Sequence, residues 1–173
     1  LHDLVKAGKV RYLGASAMYT WQFAKAQFIA EKHDWTKFVS MQNHLNLLYR
    51  EEEREMIPFC EDQKIAITPY SPLASGRLTR DWTGDTKRSL TDQTSKMKYD
   101  QTMDQDRVIV ERVAQVAEEL DVKRAQVALA WLMQKEVVTV PIIGATKESH
   151  LLDALPAIDV TLTPEQVAFL EEA

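Results

Sequence analysis

Apolar positions along the chain recur in two alternating rhythms, short β-branched runs and longer stretches of helical period, which predicts a repeated strand-then-helix unit. Leu1, Leu4 and Val5 read as the last turn of a helix that Gly8 stops, and Val10 to Ala15 as the first strand. A helix is expected from Thr20 as N-cap, with Trp21, Ala24 and Phe28 at i, i+3, i+7. Phe38–Gln42 is the second predicted strand. A charged helix over Arg50–Gln63 follows, with Met56, Ile57 and Cys60 on its inner side and the solvated run Glu51-Glu52-Glu53 near its start. Ile65–Tyr70 is the third strand, its ladder ending near Pro69 because proline has no N–H to donate. The stretch 79–105 is polar with scattered apolar residues, and is expected to be a long loop. It is either a lid or binding loop or a disordered segment. Helical periodicity resumes over Asp106–Leu120 in the stripe Val108, Ile109, Val113, Val116, Ala117 and Leu120. Arg124–Gln134 is apolar nearly all round, which predicts burial on several sides. Val137–Ile143 is the fourth strand, a helix begins near Lys147, and Thr163-Pro164-Glu165-Gln166 has the composition of a helix N-terminus.

Strands joined through helices predict a parallel sheet covered by helices. A doubly wound open sheet and part of a (β/α)8 barrel both fit, since a whole barrel takes about 250 residues and four units are close to half of one. The chain opens within a helix and ends at Ala173 barely two turns into another, so it is expected to be an excerpt of a longer polypeptide.

Composition narrows the function classes. The 173 residues are 45% hydrophobic and 27% charged, with a net charge of −5, so a phosphate backbone finds no basic surface and nucleic-acid binding is not expected. No apolar run reaches the roughly 20 residues that span a bilayer, so no membrane span is expected. One cysteine, Cys60, excludes an internal disulfide or a cysteine-held metal cluster and fits a cytoplasmic setting. The motifs G-x-G-x-x-G and G-x-x-x-x-G-K-[ST] are absent, which counts against Rossmann and P-loop readings.

In either architecture, functional residues gather at the carboxyl ends of the strands. Those ends carry Ser16, then Gln42-Asn43-His44, then Tyr70-Ser71-Pro72-Leu73-Ala74-Ser75-Gly76, and finally Gly144-Ala145-Thr146-Lys147. The set is rich in hydrogen-bonding groups, offers one aromatic face and is poor in acid–base catalysts. A flat, amide-bearing ring could be held by hydroxyl, carboxamide and Tyr70, and a phosphate by amides near Gly144. Each residue also has a plainer role: Tyr70 as a packed rim aromatic, Gly144 as a turn residue, Ser16 and Gln42 as satisfied polar groups. His44 has no Ser or Cys at triad spacing.

Four segments carry a resemblance. Leu4–Ser16, Met41–Arg50, Tyr70–Leu78 and Pro141–Asp153 resemble, in order, the "LV..GKVRYLGAS", "Q..YNLLYR", "YSPLA.G.L" and terminal "P..GA......L.D/E" segments of the aldo-keto reductases. Nearly the whole chain is covered. Within the family it is most similar to the branch that includes versiconal hemiacetal acetate reductase and aryl-alcohol dehydrogenase-like enzymes.

The resemblance implies a (β/α)8 TIM barrel of class α/β, with residues 1–173 as its C-terminal half, units five to eight. It implies hydride transfer between NADP(H) and a small-molecule aldehyde or ketone, or the corresponding alcohol. Carried over by position, Ser16 and Gln42 would hold the nicotinamide carboxamide and Tyr70 would stack on the ring. Ser71, Pro72, Leu73 and Ala74 would line the pyrophosphate. Arg88, and less directly Arg80, would fall near the adenosine 2′-phosphate, while Gly144, Thr146, His150 and Asp153 would surround the adenosine. Three positions depart from the family: Ala17 stands where Asn is frequent, His150 where Gln is, and Ala154 where Asn is. The family's catalytic Asp, Tyr, Lys and His match no residue here and belong to the missing first half, so the isolated chain is expected to be inactive and unstable with its edges unpaired. The alternative within the family is a nucleotide-binding regulatory module like a potassium-channel β subunit.

Overall fold

The computed structural model describes residues 1–82 and 91–172. A three-stranded parallel sheet forms the centre: β1 (Leu13–Ser16), β2 (Phe38–Gln42) and β3 (Ala66–Ile67), hydrogen-bonded in the order β1-β2-β3. The predicted fourth strand is present only as isolated parallel bridges, Ile67↔Val138 and Tyr70↔Ile142, which extend the same order by one segment. Among the described residues no strand pairs with its outer side, and Val140 and Ile142 are about half exposed. Consecutive parallel order fits a stretch of barrel wall, and one wing of a doubly wound sheet shares it. At Gly14 a Cβ would stand 2.6 Å from Ser40 Oγ, and the register between β1 and β2 shifts at that point.

Among the described residues the α-helices, in chain order, are α1 (His2–Lys6), α2 (Thr20–Lys32), α3 (Met56–Asp62), α4 (Gln93–Tyr99), α5 (Met103–Glu119), α6 (Arg124–Met133), α7 (Glu148–Ala154) and α8 (Pro164–Glu171). Met56, Ile57 and Cys60 face inward as expected, but Glu51–Glu53 forms a separate 3-10 turn ahead of α3. Seven successive residues of α6, Gln126–Leu132, are buried. At α8, Thr163 Oγ1 accepts from Gln166 N–H at 3.2 Å, and Gln166 Oε1 accepts from Thr163 N–H. This reciprocal cap matches the sequence signal.

Four expectations are corrected. The first strand begins at Leu13, leaving Tyr12 73% exposed. Helix α2 buries Phe23, Gln27 and Ala30 instead of the Trp21–Phe28 stripe, and those two aromatics are 62% and 66% exposed. Gln27 is drawn inward because its amide takes both polar groups of Phe38: Nε2 donates to Phe38 O at 2.8 Å, and Oε1 accepts from Phe38 N–H at 2.9 Å. Phe23 meanwhile packs against Phe38 and Phe59. The stretch 79–105 is not one loop, since it carries α4 and the start of α5. Asp92 caps α4 by accepting from Ser95 N–H at 2.9 Å, and Ser95 and Tyr99, one turn apart, are both buried. In α5, Val108 turns outward and Asp106 lies on the buried face beside Thr102.

The orientation of α2 is directly testable. Phe23→Ala should destabilise the chain by about 3–5 kcal/mol through cavity formation, and Phe28→Ala by no more than about 0.5 kcal/mol, in urea unfolding followed by circular dichroism.

Candidate functional site

A cavity of about 1010 Å³ opens at the carboxyl end of the sheet. One wall is the turn after β3, with Tyr70, Ser71, Pro72, Leu73, Ser75 and Gly76; the facing wall is the fourth segment and α7, with Ile142, Gly144, His150 and Asp153. The floor comes from α5, α6 and the turn between them, including Glu118, Asp121, Lys123 and Arg124. Sequence reasoning missed this floor, because an apolar helix pair joined by a charged turn carries no motif.

The wall after β3 is held in a costly backbone conformation. Ser71, Ala74 and Ser75 have φ of 55°, 48° and 58°, and Gly76 has 90°. Three non-glycine residues in the left-handed region within one turn cost of order 1 kcal/mol each and persist only where surroundings fix them. Asn46 supplies part of that fixing. Its Nδ2 donates to Ser71 O at 2.9 Å, while its Oδ1 accepts from Leu48 and Tyr49 N–H.

Of the thirteen residues expected to contact a cofactor, seven line this cavity: Tyr70, Ser71, Pro72, Leu73, Gly144, His150 and Asp153. Ala74 is fully buried behind the wall. Ser16 and Gln42 are register partners at the ends of β1 and β2, where Ser16 Oγ donates to Gln42 O at 3.1 Å, outside the cavity lining. Thr146 is exposed and also outside the lining, and Arg80 leans on the chain at Asp81. Arg88 lies outside the described residues. The helix expected near Lys147, α7, is only seven residues long.

The charges in the floor are largely matched. Lys123 pairs with Asp153, and Arg124 Nη2 pairs with Asp81 Oδ1 at 2.7 Å. Arg124 Nη1 is buried with no hydrogen-bond partner among the described residues, leaving one uncompensated donor atom in a floor residue.

Behind Tyr70 is a polar aromatic cluster absent from the expectations. His44, 6% exposed, stacks between Tyr49 and Tyr70, with ring centroids 4.2 and 5.1 Å away and interplanar angles of 21° and 13°. His44 Nε2 and Tyr99 Oη are 2.8 Å apart, and Asn46 Nδ2 donates to Tyr99 Oη at 3.1 Å. Burial, reinforced by the Lys98 charge, pulls the His44 pKa down to about 4, and burial pushes the Tyr99 phenol up to about 12. Neutral His44 thus shares one hydrogen bond at Nε2 with the Tyr99 hydroxyl, which also accepts from Asn46. Lys98 Nζ reaches over the Tyr70 ring, 4.6 Å from its centroid and 3.4 Å from Tyr70 Oη. The sequence signal was the alternation His44-x-Asn46 beyond β2, uninterpretable until Tyr99 was placed beside it.

The chain matches the Aldo/keto reductase family over residues 1–173. It is 46% identical to a candidate aryl-alcohol dehydrogenase of Schizosaccharomyces pombe, covering 99% of this chain and 48% of that protein. It is 41% identical to versiconal hemiacetal acetate reductase of Aspergillus parasiticus, covering 99% of this chain and 50% of that protein. An aldo-keto reductase of Fusarium vanettenii is 46% identical over 99% of this chain and 46% of its own length. The chain belongs to the aldo/keto reductase family, and it spans about half the length of these relatives. Among the described residues no helix is long and apolar enough to cross a membrane.

The buried neutral imidazole has a consequence for stability. An unfolded His titrates near 6.5, so as pH falls the unfolded chain takes up this proton first. The contribution of neutral His44 should be complete above pH 6.5 and should be lost between pH 6.5 and about 4, by about 3 kcal/mol at most. Urea midpoints across that range should fall more steeply for the wild type than for His44→Phe, and the His44 ring resonances should not titrate between pH 5.5 and 8.

Proposed function

We propose that residues 1–173 form the C-terminal half of a (β/α)8 barrel, about four βα units, whose carboxyl-end cavity binds NADP(H) in a cytoplasmic carbonyl reductase. The observation that carries this reading is the convergence of Tyr70–Leu73 with Gly144, His150 and Asp153 on one cavity. These segments are more than 70 residues apart in sequence, and they are the positions the family resemblance assigns to the cofactor.

The residues present suit such a group. Tyr70 offers an aromatic face to a flat ring, worth about 0.5–1.5 kcal/mol beyond burial. The strained Ser71–Gly76 turn offers backbone and hydroxyl groups to a pyrophosphate, and Arg124, in the cavity lining, adds positive charge near an anion. His150 and Asp153 flank the adenosine end. Ser16 and Gln42, paired at the neighbouring strand ends, are assigned to the nicotinamide carboxamide, and Arg88, with Arg80 as second candidate, to the 2′-phosphate. When bound, NADPH supplies the hydride that reduces an aldehyde or ketone. The residues of this chain bind and orient; the proton reaching the carbonyl oxygen is assigned to the family's tyrosine, in a segment preceding Leu1.

Purified chain should bind NADPH, detected by a change in nicotinamide fluorescence, without oxidising it when an aromatic aldehyde is added. Turnover at ordinary enzyme rates would place the proton donor within these 173 residues and overturn that part of the assignment. Tyr70→Ala should weaken NADPH binding about 2- to 13-fold. Arg88→Ala should weaken NADPH while leaving NADH affinity unchanged; equal losses would remove Arg88 from the 2′-phosphate.

A further inference from the structure

Tyr70 belongs to the cavity lining, and its ring has two close neighbours, His44 stacked on it and Lys98 Nζ 4.6 Å from its centroid. Tyr70 lines the cavity, whereas His44, stacked on Tyr70 at 13° between ring planes, is not part of the lining. His44 is thus the layer beneath the platform, and Tyr49, stacked under His44 at 4.2 Å, is the layer beneath that. The column Tyr49–His44–Tyr70 draws on two chain segments joined by the parallel bridge His44↔Tyr70, so the backbone sets the level of the two upper rings.

We propose that His44 is a positioning residue that fixes the plane of Tyr70 before a ligand arrives, so that a nicotinamide ring meets a preset stacking surface. This rests on the assignment of Tyr70 to the nicotinamide and adds a determinant that never touches it. The imidazole suits the task for a physical reason. A phenyl ring in the same slot could slide or rotate about its stacking axis, whereas His44 is pinned at its edge by the Tyr99 hydroxyl, itself held by Asn46. Tyr99 ends α4, so the same bond docks that helix onto the back of the platform. Fixing a ring that would otherwise be ordered on binding lowers the entropic cost of association. Lys98 also lies over Tyr70, but its ammonium is carried on a flexible four-carbon stem and yields to an incoming ring. His44, buried and held on three sides, does not.

The two halves of the dinucleotide separate this role from general structural damage. Reduced nicotinamide mononucleotide probes the Tyr70 end, and 2′,5′-ADP probes the adenosine end while reporting that the site is folded. In the wild-type chain both should bind. His44→Ala should weaken the nicotinamide half about tenfold and leave 2′,5′-ADP within twofold. His44→Phe, which keeps a flat ring in the column but loses the bond to Tyr99, should recover part of the loss and not all of it. Equal losses for both probes, no change for either, or failure of Phe to recover more than His44→Gln does would overturn the positioning role. Binding of 2′,5′-ADP with none of the nicotinamide half by the wild type would overturn it as well, leaving the adenosine end intact. If the wild type binds neither probe, the cofactor reading of the cavity falls and the proposal with it.

Discussion

Two backbone hydrogen bonds meet at the end of β3. Tyr70 N–H donates to Asn43 O at 2.8 Å, and one residue earlier Pro69 O accepts from Ile142 N–H at 2.7 Å. Proline gives the ladder no donor of its own but keeps its carbonyl, so the strand end still binds the neighbour on its far side. These bonds bring three segments far apart in sequence into one row of parallel strand ends. The cavity, the His44–Tyr70 stack and the Ser71–Gly76 turn all depend on that row. In a parallel sheet all chains leave the ladder on the same edge, so strand-end side chains collect there without individual guidance.

The supporting layer is as constrained as the ladder. Helix α6 is buried over seven consecutive residues, and its first turn forms part of the cavity floor. Its far end is tied to α8: Trp131 Nε1 donates to Glu171 Oε1 at 2.8 Å, and Lys135 Nζ bridges Glu171 and Glu53. Arg50 bonds both of the same carboxylates. Burial raises the Glu171 pKa, but the hydrogen bonds from Lys135 and Trp131 outweigh it, and the carboxyl is held below its ordinary value. This network joins the turn before α3 to the C-terminal helix, so the floor cannot shift without breaking several charge-assisted bonds.

Strain in the turn after β3 follows from the same logic. Left-handed Ser71, Ala74 and Ser75 are tolerated because Asn46 grips Ser71 O and because Ala74 is wholly buried. Asn46 also serves Tyr99, so the backbone of the cavity wall and the ring column behind it share one side chain. A perturbation at any of these residues is therefore expected to reach the others.

By itself the sequence determined the alternation of strand and helix, the inward side of α3, the all-round burial of α6, the reciprocal cap of α8 and the family, because those properties are local or are carried by motifs. It also pointed to the strand ends as the place for chemistry. It misjudged α2, where Trp21 and Phe28 satisfied the helical period but the Gln27–Phe38 amide pair and the Phe23 contacts set the rotation. It also read the polar stretch containing α4 as loop, since only burial of Ser95 and Tyr99 distinguishes that helix from solvent-exposed chain. The cavity floor and the His44 column were decided by the tertiary structure. A stack of Tyr49, His44 and Tyr70 with Tyr99 bonded at its edge is an encounter across separate strand ends and a helix terminus, and no period along the chain encodes it.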